Sequence, residues 1–316
     1  MTEEDAMKKP ELVWHYTDAE GLRSIVTNRV FWATSHRFMN DSQEPKHATA
    51  TLKQAGLVAR ETLDHDQALR FDQLMQYAER NGLEAFLLCA ALQPDLLTVW
   101  RGYGSSVSYA IELDASVNFL PVAQASADRH PFPPASWKRD EIDEDDEGEP
   151  IYGPDPDEVR IESDGWWPVQ YDSTTALKRV ERIADLARRE PHPLSDTLLP
   201  WANLGGIDLL QLKNPAFVDE REARLVFEVN PRWKFVKHRS TRFGLTPYIE
   251  VSPADGENQR AANDRFVTHP ARRLPIRAVH IGPSPLGDES VDALREFLEF
   301  NGYPDLPVLK SETPFR

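Results

Sequence analysis

Apolar positions follow two rhythms along this chain, and the rhythms mark out its elements. Leu12-Val13-Trp14-His15-Tyr16 is a short apolar run that predicts a buried strand. Asp18 then stands where a helix cap is needed, before Leu22, Ile25 and Val26, which share one helical face. Val30-Phe31-Trp32-Ala33-Thr34 predicts a second strand that runs toward the polar turn Asn40-Asp41-Ser42. Leu63, Phe71, Leu74, Met75 and Ala78 recur at helical spacing over residues 61–80, and Asn81-Gly82 ends that helix. Strands follow over 85–92 and 107–113. In the second, Val107, Tyr109, Ile111 and Leu113 alternate with Ser108, Ala110 and Glu112, the period of a sheet with one covered face.

Farther on, Ser173 or Thr174 starts a helix with Leu177, Val180, Ile183, Ala184 and Ala187 inward, stopped by Pro191 and Pro193. The last third reads as strands over 223–229, 247–251 and 276–282, then a helix over 290–301 that buries Val291, Leu294 and Leu298. Strands come in pairs and do not alternate regularly with helices. The expected class is therefore α+β, a mixed sheet flanked by helices, and not a doubly wound parallel sheet. Residues 11–316 read as one domain. Residues 119–165 break the pattern with closely spaced prolines and the acidic run from Asp140 to Glu149, which predicts a loop or insertion within that domain.

Composition narrows the function classes. The chain has 316 residues and a net charge of −16, and 40% of its residues are hydrophobic, a globular profile. Residues 1–200 hold 20 Lys+Arg against 36 Asp+Glu, whereas residues 201–316 hold 16 of each. Non-specific nucleic-acid binding needs a basic footprint, so it is not expected here. The one basic stretch, from Arg232 through Lys234, Lys237, His238 and Arg239 to Arg242, reads as a solvated loop, with a phosphate-contacting edge as the alternative. Cys89 is the only cysteine, which leaves no internal disulfide. No run approaches the roughly 20 apolar residues of a membrane span, and no secretory signal is visible, so the expected compartment is the cytosol.

Four segments carry candidate chemistry: His15-Tyr16-Thr17, Trp100-Arg101-Gly102-Tyr103-Gly104, Glu220-Arg221-Glu222-Ala223-Arg224, and Ile281-Gly282-Pro283. Each also has a plain structural explanation. A strand-end histidine between Trp14 and Tyr16 is commonly a hydrogen-bonded core residue. Glu-Arg-Glu-x-Arg is commonly a solvated strand edge with weak ion pairs. Trp100 and Tyr103 are commonly core aromatics.

Taken in order, these segments and the Asn40-Asp41-x-x-Glu44 turn resemble a bacterial domain-of-unknown-function family. Its members open with a His-Tyr-Thr strand and close with Glu-x-Glu-x-Arg and Ile-Gly-Pro strands. That opening is in turn similar to the ADP-ribosyltransferase fold, a split mixed sheet that binds NAD. The resemblance implies that His15 contacts the adenosine ribose, that Thr17 lies near the nicotinamide, and that Glu222 is the catalytic carboxylate with Glu220 as its partner. It also implies an aromatic stacked on nicotinamide, Tyr103 with Tyr109 as the alternative, and a pyrophosphate contact from Arg101 or Arg224. The implied activity is NAD-dependent ADP-ribosyl transfer or NAD hydrolysis, with NAD as substrate, in a toxin or defence effector with an unidentified macromolecular acceptor. The chemistry is coherent. Breaking the nicotinamide–ribose bond develops positive charge on the ribose carbon, which a fixed carboxylate stabilises. The rival reading is a non-catalytic nucleotide- or protein-binding module of the same fold. A third is another glycosidic or nucleotide-processing reaction using Glu220 and Glu222.

Overall fold

The computed structural model describes residues 8–39, 44–79, 84–102, 108–123, 141–144, 150–152, 159–161, 165–189, 210–229, 233–241, 244–259, 265–284 and 287–313. In chain order the elements are β1 (Leu12–Asp18), α1 (Ala19–Asn28), β2 (Phe31–Ser35), α2 (Glu44–Arg60), α3 (His65–Glu79), β3 (Glu84–Ala91), α4 (Leu97–Gly102), β4 (Ser108–Asp114) and β5 (Phe119–Pro121). They continue with β6 (Glu141–Glu144), β7 (Pro150–Tyr152), β8 (Val159–Ile161), β9 (Trp167–Pro168), α5 (Thr174–Arg189), β10 (Glu222–Val229), β11 (Lys237–Thr241) and β12 (Gly244–Pro253). The last are β13 (Ile276–Ile281), α6 (Gly287–Phe300) and β14 (Val308–Lys310). The class is α+β, with a mixed sheet flanked by helices.

These elements form two compact units. One comprises residues 1–35, 84–168 and 219–316, and the other residues 36–83 and 169–218. The second unit is helical. Leu52 and Ala55 of α2, Phe71 and Leu74 of α3, and Val180, Ile183, Ala184 and Ala187 of α5 share one apolar core. Leu177, expected inward, is exposed on α5. The helical pattern over 61–80 corresponds to α3, whereas α2 was not visible in it: seventeen residues rich in Ala, with Thr and Lys, carry a weak apolar stripe.

The first unit is built on one large sheet. Antiparallel ladders join β11 to β12, β12 to β2, β2 to β3, β3 to β1, β1 to β4 and β4 to β13, and β14 adds in parallel to β13. Strand β3 also pairs along its whole length with β10, from Glu222↔Ala91 to Val229↔Glu84. Directly opposed residues project to the same face of a sheet. Val13, Ala90, Leu88, Phe86, Ala223, Leu225 and Phe227 therefore share a core face, where Leu22, Ile25 and Val26 of α1 and Val291, Leu294 and Leu298 of α6 join them. Burying each such aliphatic or aromatic side chain contributes about 1.5–3 kcal/mol.

The described residues of the Pro-rich segment 119–165 include strands. Phe119 and Leu120 are buried where β5 pairs with β12, and β8 pairs with the outer edge of β10. The run Phe119-Leu120-Pro121-Val122 opens the segment, and hydrophobic burial places it despite the composition that follows. The acidic run itself contributes β6, which pairs with β7 in a separate two-stranded sheet.

On the face opposite the core, three of the candidate segments meet as packing partners. Tyr16 and Trp100 contact edge to face, with ring centroids 4.5 Å apart. The Tyr16 hydroxyl accepts from the Leu96 amide at 3.0 Å, and the Trp100 indole donates to Asp95 at 2.8 Å. Asp95 also accepts from the Ser311 hydroxyl and from the Glu312 amide, tying the C-terminal segment to α4. Gly282 lies under the Trp100 ring, where an added Cβ would come within 2.8 Å of the ring and 3.1 Å of the Ser108 carbonyl. We predict that Gly282→Ala destabilises the protein by about 1–3 kcal/mol in urea unfolding, the usual cost of overpacking. Gly102→Ala, where nothing lies within 4 Å of the added carbon, should change stability by under about 0.5 kcal/mol.

Candidate functional site

The site is centred on the edge of β3 that faces away from β10. Ala91 pairs with Trp14 of β1 on that edge, and Leu87 and Phe86 pair with Thr34 and Ser35 of β2. Residues 88–90 pair with neither strand there, so β1 and β2 diverge from a common stem. The sheet is split at this point.

His15 occupies the split. Its Nδ1 lies 2.8 Å from the Cys89 carbonyl oxygen. A carbonyl only accepts, so Nδ1 carries the proton and Nε2 presents a lone pair. The ring stands edge-on to Phe31, with centroids 5.2 Å apart. Burial pushes the His15 pKa below its ordinary value of 6.5; the Cys89 hydrogen bond opposes the shift and the positive charge of Arg239 reinforces it. His15 is therefore a neutral imidazole near pH 7, with Nε2 ready to accept a hydrogen bond.

Thr17 lies two residues on, on the same face of β1 as His15, and is buried. An added Cβ on Gly21 would approach its Oγ1 to 1.9 Å, so the first turn of α1 sits directly on the Thr17 side chain. Asp18 caps that turn by accepting from the Gly21 amide at 2.7 Å. Gly21 is thus required by close packing, and Thr17 is its counterpart.

Glu222 is placed differently. It pairs through Ala91 with Trp14, so its side chain projects to the face shared by Trp14 and Cys89, opposite that of His15. Arg224 holds it through Nε–Oε1 at 2.6 Å and Nη2–Oε2 at 3.1 Å, with Glu222 6% and Arg224 2% exposed. The expected alignment of Glu220 and Glu222 on one strand face is not found. Glu220 closes the 3-10 turn Pro215–Glu220, Arg221 adopts a left-handed φ of 44°, and β10 begins only at Glu222. The left-handed residue breaks the period of two on which that expectation rested.

The remaining expected residues scatter. Arg101 is exposed on the last turn of α4 and makes no hydrogen bond or ion pair among the described residues. Tyr103 lies outside the described residues. Tyr109 is half-buried in a groove of about 330 Å³ formed by α1 and α6, where Leu22, Arg23 and Phe297 also line the wall. Arg224 is the buried partner of Glu222, which removes it as an open pyrophosphate contact.

Arg239 enters the site unexpectedly. It comes from the basic stretch, which forms part of strand β11 and not a loop throughout. Its guanidinium lies 5.3 Å from the Trp32 ring centroid and 6.0 Å from that of Tyr248, and Nη2 donates to Thr34 Oγ1 at 2.9 Å. Trp32 and Tyr248 are 4.8 Å apart. Alternation of Lys237 and Arg239 with His238 and Ser240 was the signal in the sequence, a period of two hidden by the uniform charge. No family model matches the chain, and no curated protein or solved structure matches it either.

Two predictions follow from the charges here. Between pH 6.5 and its depressed native pKa, His15 binds more protons in the unfolded chain than in the folded one. Its contribution to stability should thus be complete above pH 6.5 and decline as pH falls below it. Urea unfolding across this range should show that slope, reduced in His15→Asn, whose amide preserves a donor to Cys89. For the ion pair, Arg224→Ala strands a buried carboxylate and should cost about 3–5 kcal/mol. Glu222→Gln combined with Arg224→Met should recover much of that loss, and a double-mutant cycle in urea measures the coupling.

Proposed function

We propose that this chain is a nucleotide-binding module of ADP-ribosyltransferase-like form, with the split between β1 and β2 as its binding site and NAD or ADP-ribose as ligand. The carrying observation is His15, a neutral imidazole set in the split with Nε2 unpartnered among the described residues. That nitrogen suits a ribose hydroxyl, which needs an acceptor. Arg239 adds positive potential, which suits a pyrophosphate. The motif resemblance and the divergence of β1 and β2 both support the same ligand.

The module binds NAD without using Glu222 to cleave it. Transition-state stabilisation requires a carboxylate aimed at the developing cation. Glu222 instead faces away from His15 and is neutralised by Arg224. The catalytic reading, transfer of ADP-ribose to a macromolecule or to water, retains one supporting observation: the ordered series of segments from His15 to Pro283, which includes Glu220-Arg221-Glu222.

Calorimetric titration with NAD and ADP-ribose, alongside an assay of nicotinamide release, separates the two. We expect saturable binding, weakened roughly three- to tenfold in His15→Asn by loss of one acceptor and unchanged in a folded Glu222→Gln protein. Nicotinamide release is expected from neither wild type nor variant, with or without cell extract. Release by wild type that Glu222→Gln lowers about 100-fold or more would establish catalysis. Absence of binding by both ligands would sink the nucleotide reading altogether.

A further inference from the structure

A second site lies on the first unit, independent of the split. Residues of β1, β4 and β13 border a cleft of about 790 Å³, within the range of small-molecule sites. Leu12 and Ala115 give it an apolar wall, and Glu112 of β4 presents a carboxylate to it.

That carboxylate is fixed from one side. Its Oε2 lies 3.1 Å from the Trp14 indole nitrogen and 3.0 Å from His280 Nε2. An indole N–H only donates and a carboxylate oxygen accepts, so Oε2 takes the Trp14 proton and the His280 Nε2 proton, while Trp14 Nε1 also lies 3.3 Å from His280 Nε2. Trp14 and His280 are buried, and Glu112 stands mid-strand between β1 and β13. Oε1 has no hydrogen-bond partner among the described residues. A rigid carboxylate with one saturated oxygen and one open oxygen is a preorganised cation receptor, because the cost of orienting it is already met within the fold.

The other charges around the cleft decide which ligand fits. Arg277 is paired with Asp114, and the Lys9 ammonium lies over the Trp167 ring, 5.2 Å from its centroid. Among the described residues, Glu112 and the exposed Glu11 remain as the carboxylates facing the space without a Lys or Arg partner. A guanidinium binds best when two oxygens meet its fork, and here only one is open. A primary ammonium needs one acceptor per N–H and can share itself between Glu112 and Glu11.

We infer that this cleft binds a primary ammonium carried on a short aliphatic chain, with Glu112 Oε1 as the principal acceptor and the chain along Leu12 and Ala115. The test uses n-butylammonium and 1,4-butanediammonium as probes and n-butanol as the neutral isostere. Binding is followed by the Trp14 indole proton resonance, assigned by its loss in Trp14→Phe. Saturable shifts with both ammonium ions, and none with n-butanol at equal concentration, are expected. Glu112→Gln, whose amide oxygen still accepts from Trp14 and His280, should weaken binding about tenfold or more. NAD titrations of the same variant should be unchanged, which keeps this site separate from the split. No saturable shift, or an undiminished one in Glu112→Gln, overturns the proposal. Tighter binding of n-butylguanidinium than of n-butylammonium overturns the choice of head group.

Discussion

A strand has two edges, and each backbone position on an edge can complete only one ladder. On β3, one edge is filled by β10 from end to end, while β1 and β2 both claim the other. They cannot both pair with residues 88–90, so they diverge, and the carbonyl of Cys89 meets the His15 ring in the opening. His15 donates its Nδ1–H to that carbonyl, and the same bond sets the tautomer that leaves Nε2 as an acceptor. The conflict for one edge thus generates both the opening and the chemical character of the group inside it.

The segments that marked the sequence have a common physical explanation short of catalysis. Tyr16, Trp100 and Gly282 come from elements far apart in the chain, yet they form a single packed cluster fastened by Asp95. A glycine under an indole ring, a tyrosine hydroxyl on a helix-entry amide and an aspartate tying the C-terminal segment each require their own residue type. Co-occurrence in order is what such a cluster produces, because its members must be present together. His15 differs from them in having a polar atom left over after its packing role is met.

Much of the fold was legible because β1 and β2 are short apolar runs, β4 alternates with a period of two, and α1 carries one apolar face at helical spacing. Helix α2 was hidden by weak amphipathicity, and β5 by Pro121 within it and the prolines that follow. At the site, His15 could be read as a strand-end histidine, but its service to Cys89 could not, since that depends on a sheet edge left open by two other strands. The pairing of Glu220 with Glu222 failed for a local reason: the left-handed Arg221 lies between them, and nothing in Glu-Arg-Glu announces a positive φ at a non-glycine residue. Arg239 was obscured by its neighbours, because a run of basic residues looks solvated whether or not every second one is turned onto an aromatic ring.

The state of Glu222 bears most directly on mechanism. Two opposite charges removed from water need each other, since breaking a buried pair leaves one of them uncompensated. Arg224 engages both carboxylate oxygens of Glu222, and the pair stands on adjacent same-face positions of a strand locked between β3 and β9. For Glu222 to stabilise a cation forming near His15, the pair would have to open and the carboxylate would have to cross from one face of the sheet to the other. Rotation about side-chain bonds achieves the first but not the second, because the face is set by the register Trp14↔Ala91 and Glu222↔Ala91. Catalysis through this residue would therefore require β10 to slip by an odd number of residues against β3. Such a shift would move Ala223, Leu225 and Phe227 off the core face together and give up the burial of all three.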